Sequence, residues 1–502
     1  MQWAKQGCLY IAFFLLLGIP ESGGYAKELV VALNAMPKTI DPRLANDVNG
    51  YRITQQLLYG TLIEQDYDLK IIPSLAERWE TPTPTNYIFY LRKNARFFDG
   101  SPVMAADVKY TFDSVMDPKT ASPFQFVKEK IKAVEVIGPH TIRFESVAPQ
   151  ASFLLDLFIP IFKTSTDEQG KIRLVGAGPF QLKRKTASQI ILAPNPYYYG
   201  GKPALKQIVF KVIKDDNTRF LKFKKGSVDF GINAIPMDKL KQFTTKPLNQ
   251  KYKLLESAAL SYQYLGFNMK HPVLKHKLVR QAIAHAMNRE ELIQYYKHGH
   301  AVKANSLMTP QNEFYSKNLP QYNYDLKKAN QLLDQAGYPL RGNKRFTLEY
   351  KTTSNKEAVR QARIIKEQLK KVGIEIHVRS LEWGTFFGDV TSGNFALYSL
   401  RWVGVSEPDF YYNAFHSTQF PPSGHNRVRY TNPKLDQLVE AGRVEMNSEK
   451  RKTIYDQVQQ ILAEDLPYLS LWYNNNVVII KEDLKEYRLH PTGGYHSFKL
   501  IH

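Results

Sequence analysis

Short apolar runs alternate with amphipathic stretches along most of this chain, and the two periods separate cleanly. Residues 29–33, 87–91 and 207–213 carry β-branched and aromatic side chains at strand length, so each predicts a strand. Residues 357–372 behave differently. There Ala358, Ala362, Ile365, Leu369 and Val372 recur at spacings of three and four, which places them on one stripe of a helix, and Gly373 stops it. Residues 374–378 then alternate apolar and polar, the period of a half-buried strand. Residues 279–296 predict a second amphipathic helix with Val279, Ala282, Ile283, Ala286 and Met287 on its inner side. No tandem repeat, low-complexity tract or long Gly/Ser linker interrupts the pattern, and the alternation predicts α/β domains of mixed sheets flanked by helices.

The N-terminus follows another logic. A lysine at position 5 precedes an apolar run over 9–19, then Pro20 and small residues ending in Ala26. That order is a secretory signal peptide, with cleavage expected after Ala26 and residues 1–26 removed. The apolar run is short of the roughly 20 residues needed to cross a bilayer, which argues against the rival reading of an uncleaved anchor. Cys8, the one cysteine, lies before the apolar run and not after it, so it does not mark a lipoprotein. The exported chain thus has no disulfide and no thiolate ligand, and packing alone must hold it.

At 502 residues, the chain exceeds one compact core and predicts several domains. The net charge of +21, from 68 Lys and Arg against 47 Asp and Glu, survives cleavage, because residues 1–26 hold one lysine and one glutamate. The excess sits in short clusters interleaved with acids, such as 183–185 and 222–225, without the one-sided concentration of a nucleic-acid footprint. Solubility and loose attraction to anionic membrane surface account for it.

Candidate chemistry is sparse. Gly-x-Ser-x-Gly, His-Glu-x-x-His, a Walker-type phosphate loop and a Rossmann glycine fingerprint are all missing. The Gly-Ala-Gly-Pro-Phe segment at 176–180 is a poor phosphate cradle, since Pro179 lacks an N–H, and it predicts a turn entering a strand. His298 and His300 lack a nearby third metal ligand, and His285 falls inside a packed helix. Asp215 and Asp216 lack calcium-loop spacing. Neither a cofactor nor a metal is expected. A secreted hydrolase stays open only because triads assemble across distant sequence.

Residues 71–118 carry Leu-Ala-Glu-Arg-Trp at 75–79, Phe-Tyr-Leu-Arg at 89–92, Phe-Phe-Asp-Gly at 97–100 and Ala-Asp-Val at 106–108. In that order and spacing, this region resembles the extracellular solute-binding proteins that serve peptide, dipeptide and nickel ABC importers. The likeness continues through the turn at 176–180, Lys-Gly-Ser-Val-Asp at 225–229, Phe267-Asn268, Val-Arg-Gln-Ala at 279–282, Ala-Gly-Tyr at 336–338 and Leu-Ala-Glu-Asp-Leu-Pro at 462–467.

The resemblance implies a periplasmic-binding-protein-like fold with two lobes, a hinge and three domains. Domain I would comprise 27–65, 183–262 and 485–502, domain II 66–182, and domain III 265–484, with crossings near 263–268 and 481–482. It implies a monomeric, non-enzymatic periplasmic protein that captures di- or oligopeptides between its lobes and hands them to permease subunits in the inner membrane, with no nucleic-acid partner. A peptide held as an extended strand is gripped through its main chain.

Trp383 and Trp402 stand where the family carries cleft tryptophans. Three residues after Trp402, the oligopeptide branch places an aspartate that pairs with the peptide amine, and here that position is Val405. Either Glu407 or Asp409 replaces it, or the ligand lacks a free amine, which would favour a metal chelate, a modified peptide or a peptide antibiotic. Arg401 is a candidate for a carboxylate or phosphate. Tyr51, Tyr262, Tyr264 and Asn268, with Tyr411 and Tyr412, complete the candidates. The positive charge leaves an adhesin or chaperone-like role as a further alternative.

Overall fold

The computed structural model describes residues 27–166, 170 and 172–502. The expected leader and its cleavage point after Ala26 lie outside the described residues. Strands form where the sequence predicts them, at Glu28–Leu33, Asn86–Leu91, Gln207–Val212 and Ile374–Leu381. Helix Lys356–Lys370 forms on its apolar stripe. Its N-terminus is capped by the Asn355 side chain, which accepts from the N–H groups of Glu357 and Ala358, and Gly373 takes a left-handed conformation at φ 77° just beyond its end. Ala362, Ile365 and Leu369 are fully buried against the strands on either side, each large aliphatic contributing about 1.5–3 kcal/mol.

The helix expected over 279–296 breaks. Helix Lys277–Ala286 ends because Met287 is extended, and the Asn288 side chain then accepts from the Glu291 N–H at 2.9 Å, starting a short new helix, Arg289–Glu291, that passes into a π-helical turn, Leu292–Tyr296. An asparagine that can cap competes with helix continuation, and here the cap prevails. The break turns the following residues toward the centre of the molecule.

Among the described residues, eleven strands form one sheet. Its order is Phe180–Lys185, Gln189–Pro194, Gln207–Val212, Glu28–Leu33, Phe230–Ile232, Tyr468–Lys481, Tyr252–Phe267, Leu397–Val403, Phe346–Thr353 and Ile374–Leu381, with Ala301–Lys303 also paired to Tyr468–Lys481. A second, four-stranded sheet contains Ala76–Thr83, Asn86–Leu91, Thr141–Ser146 and Ile131–Gly138 in that order. Apolar cores gather around separate parts of these sheets. One surrounds Val31, Phe210, Phe230 and Ile480. Another lies under the four-stranded sheet around Phe89, Phe112 and Phe144. A third packs helices onto the far end of the large sheet around Ile283, Leu333 and Ile365, beside an aromatic cluster holding Tyr264, Tyr398, Tyr411 and Tyr473.

Two long strands connect the first core to the third. Tyr252–Phe267 and Tyr468–Lys481 pair antiparallel from Tyr252 opposite Lys481 to Gly266 opposite Tyr468. Tyr252 and Ile480 lie in the cores at one end, Leu265 and Leu469 at the other. The ladder slips between Ala258 and Tyr262. Around that point side chains also bridge the two strands, Asn474 donating to Ser261 Oγ at 3.0 Å and Asn475 to Glu256 Oε2 at 2.9 Å. The slip lies on the N-terminal side of the expected crossing at 263–268, and 481–482 forms the far end of the pair. The two halves also meet elsewhere, where Ala151 N–H donates to the Arg443 carbonyl at 2.8 Å.

Candidate functional site

A cleft of about 880 Å³ opens beside the slipped ladder. Its walls come from widely separated parts of the chain, and each is positioned for a local reason. Asp47 accepts from the N–H groups of Asn49 and Gly50, which starts helix Val48–Ile53. The Thr54 hydroxyl donates to the Gly50 carbonyl at 2.8 Å, and the chain widens into a π turn over Thr54–Leu58. The helix presents Tyr51 and Arg52 to the cleft, and the widened turn presents Gln55 and Gln56. Interrupted helices of this kind concentrate at functional sites.

Phe124, Phe126, Leu155, Phe158 and Ile159 add an apolar wall on the side of the four-stranded sheet. The floor is Ala259, Leu260 and Ser261 with Asn474, Asn475 and Asn476. Opposite stand Lys297, just after the π turn at Leu292–Tyr296, and Arg401 and Val403 at the end of strand Leu397–Val403.

The electrostatics are uneven. Of the acids lining the cleft, Asp47 is engaged by the helix it caps, and Asp156 pairs with Lys130 at 2.8 Å. Burial pushes the Asp156 carboxyl up from its usual range, and Lys130 opposes the shift. Burial also pushes up the Tyr51 hydroxyl, which stays neutral and able to donate. Lys297 is pushed down to about 8 by burial first and by repulsion from Arg401 second.

Of the eleven candidate side chains, the structure brings only Tyr51 and Arg401 to this cleft. Trp402 points the other way. Successive strand residues face opposite sides, so with Arg401 turned outward the Trp402 ring packs 6.1 Å from Tyr264 and 4.9 Å from Phe410, with the Arg427 guanidinium 4.3 Å above it. Tyr262 and Tyr264 share that buried face. Tyr262 bonds Ser470 Oγ at 2.7 Å, and Tyr264 stacks on Tyr468 at 4.0 Å. Trp383 begins helix Trp383–Ser392, stays 54% exposed and stacks on Phe387 away from the cleft.

Asn268 is buried and donates to the carbonyls of Gly393 and Phe395, a role in chain geometry. Tyr411 is buried against Ser306, and Tyr412 lies under the Arg443 guanidinium. Val405 is buried in the aromatic cluster. Glu407 is ion-paired with Arg451, and Asp409 with Arg443 at 2.9 Å, so neither acid is free to take over the place of the missing aspartate.

Lys297, Gln55, Gln56 and the Asn474–476 triplet escaped the sequence reading. The triplet has a visible signal, three consecutive amides inside a fourteen-residue strand whose other polar residues are only Ser470 and Lys481 beside apolar and aromatic ones. Lys297 has none, because its placement depends on the broken helix before it.

Beneath the cleft lies a polar chamber of about 60 Å³ that shares Tyr51, Gln55 and Gln56 with it. His490 Nε2 faces the Gln65 and Asp66 carbonyls at 3.2 and 2.9 Å and is therefore the protonated nitrogen. The His496 ring stacks on it at 4.1 Å. Burial pushes both imidazoles below their ordinary value, His496 well below, so both are neutral at pH 7.

The sequence profile of the bacterial extracellular solute-binding proteins, family 5 (middle region), matches residues 70–421. An oligopeptide-binding protein, AppA, of Bacillus subtilis (strain 168) is 29% identical over 94% of this chain and 90% of its own length. Heme-binding protein A of Haemophilus influenzae is 27% identical over 92% and 90%. The solved structure of HbpA2 from Haemophilus parasuis superimposes with a TM-score of 0.84 at 25% identity, covering 94% of this chain and 99% of that one. No helix among the described residues is long and apolar enough to cross a membrane. The match over most of its length makes this chain a member of the bacterial extracellular solute-binding proteins of family 5.

Proposed function

We propose that the protein is the ligand-binding component of an ABC importer, exported through a leader cleaved after Ala26, which receives a peptide-like solute in the cleft and delivers it to a permease in the inner membrane. The observation that carries this reading is a cleft walled by both halves of the molecule and floored by the two strands that join them. In such an arrangement a ligand touches both halves at once and favours the closed state by its preference for it. Amide side chains at Gln55, Gln56 and Asn474–476 suit a peptide main chain, which needs donors and acceptors alike. Similarity to an oligopeptide-binding protein supports the same class. We divide the chain into domains at 27–65 with 183–262 and 485–502, 66–182, and 265–484, except that residues 477–484 pack with Ala32, Phe210 and Phe230 and so go with the first domain, and we assign it no catalysis.

One observation favours a second ligand type. Val405 is buried, and both neighbouring acids are ion-paired within their own domain, so nothing there awaits a free α-amine. A modified peptide or a chelate fits that site as well as a plain peptide, and one relative carries the name heme-binding. Mass spectrometry of protein purified without refolding distinguishes them. A mixed set of unmodified short peptides supports the first reading, and one modified or chelated species the second. Steady turnover of a peptide library by the purified protein would falsify both.

A further inference from the structure

Resting on the reading of this cleft as the ligand site, we propose that it selects solutes carrying a carboxylate or equivalent anion beside an apolar body, with the anion seated between Lys297 and Arg401. Both side chains line the cleft, and neither is ion-paired or hydrogen-bonded through its side chain among the described residues. Two cations near one another in a partly dehydrated wall repel, and an anion between them removes the repulsion while supplying hydrogen-bond acceptors.

Among the described residues no acid is ion-paired with either cation. Glu357 contributes weak attraction to Lys297, but its described bond is through its carbonyl, which accepts from Tyr296 Oη at 3.1 Å. Arg360 lies over the Tyr296 ring and adds positive charge. His298 is exposed, and His300 faces Glu256 at 2.9 Å, consuming that carboxylate. Across the cleft Asp47 and Asp156 are already engaged.

The remaining surface is mostly apolar. Phe124, Phe126 and Phe158 stand on one wall, and Ile235, Met237 and Leu260 line the floor and its edge. An apolar body against these and an anion at Lys297 and Arg401 use the cleft fully. An ammonium group, by contrast, finds repulsion there and no free acid at 405–409.

Lys297 supplies a readout that a passive wall would not give. With its ammonium pushed down to about 8, part of the population is deprotonated near that pH, and a bound anion restores the proton. Binding near pH 8 therefore takes up protons, and binding at pH 6 does not, because Lys297 is already charged.

The test uses the full exported protein, a library of short peptides with free C-termini and the same library amidated, with retained species read by native mass spectrometry. Free-acid peptides are expected to be retained at least roughly tenfold better than their amides. Lys297→Gln and Arg401→Gln should each erode that preference, Arg401→Lys should keep part of it, and Lys297→Gln should abolish the proton uptake measured by calorimetry in two buffers near pH 8. Equal retention of acids and amides, or a preference that both glutamine variants leave intact, overturns the proposal while the binding function stands. Retention of neither library overturns the peptide reading of the cleft, and the free-acid selectivity with it. Unchanged thermal midpoints confirm that the variants fold.

Discussion

Arg401 and Trp402 are adjacent in sequence and serve opposite faces of one strand: Arg401 reaches the cleft, while Trp402 lies 6.1 Å from Tyr264 inside an aromatic cluster. Trp402→Ala should therefore act on folding. Loss of a large, partly buried ring costs about 2–4 kcal/mol, read as a lower denaturant midpoint, with ligand affinity at saturating stability little changed. Arg401→Gln should leave stability within about 0.5 kcal/mol and act on binding. The reverse pattern would show that the tryptophan faces the ligand.

Val405 offers a direct probe of the departure from the oligopeptide pattern. Its side chain is buried among Tyr411, Phe415 and their neighbours, so Val405→Asp places a carboxylate where no cation awaits it. The expected result is a loss of about 3 kcal/mol or more without new selectivity for free over acetylated N-termini. A gain of that selectivity would mean that position 405 meets the ligand after all.

The histidine pair predicts an acid-side weakness. His490 and His496 are held neutral in the fold, below the ordinary value of 6.5 that applies once the chain unfolds. The unfolded state thus binds more protons as pH drops through 6.5, and stability falls in that direction by up to about 1.4 kcal/mol per pH unit for each group. Urea unfolding between pH 7 and pH 5 checks the slope, and His496→Gln should flatten it.

Gly176 and Gly178 hold the π turn in place by closeness. A Cβ at 176 would stand 2.0 Å from the Leu58 carbonyl oxygen, and one at 178 would stand 2.4 Å from that of Leu57. Gly178→Ala must push the turn aside, and with it Gln55 and Gln56, so both stability and ligand affinity should fall. Calorimetric unfolding and a binding isotherm on the same sample separate this from a purely structural defect, which would leave affinity intact in the folded fraction.

Much of the framework was legible in the sequence because local pattern and final environment agree. The stripe from Ala358 to Leu369, the alternation at 374–378 and the turn at 176–180 needed no long-range information. The cleft was less legible. Whether Arg401 or Trp402 faces it depends on strand register, which is set by pairing with Tyr262 and Gln263 far away in the chain. Lys297 reaches the cleft only because Asn288 ends a helix that periodicity would have continued. Of the stretch 401–409, Arg401, Val403, Gly404 and Ser406 line the cleft and Trp402, Val405, Glu407 and Asp409 do not, and an ion pair such as Glu407 with Arg451 leaves no trace in local spacing.

At the slip between Ala258 and Tyr262 the paired strands that join the first core to the third lose their register, and amide side chains bridge them there. A ladder interrupted in this way resists twisting less than a continuous one, so a rotation of one half against the other would concentrate there. On the binding function proposed above, solutes of different length would be met by one rotation stopped at different angles, and a permease would read occupancy as an angle, whatever the cargo's chemistry.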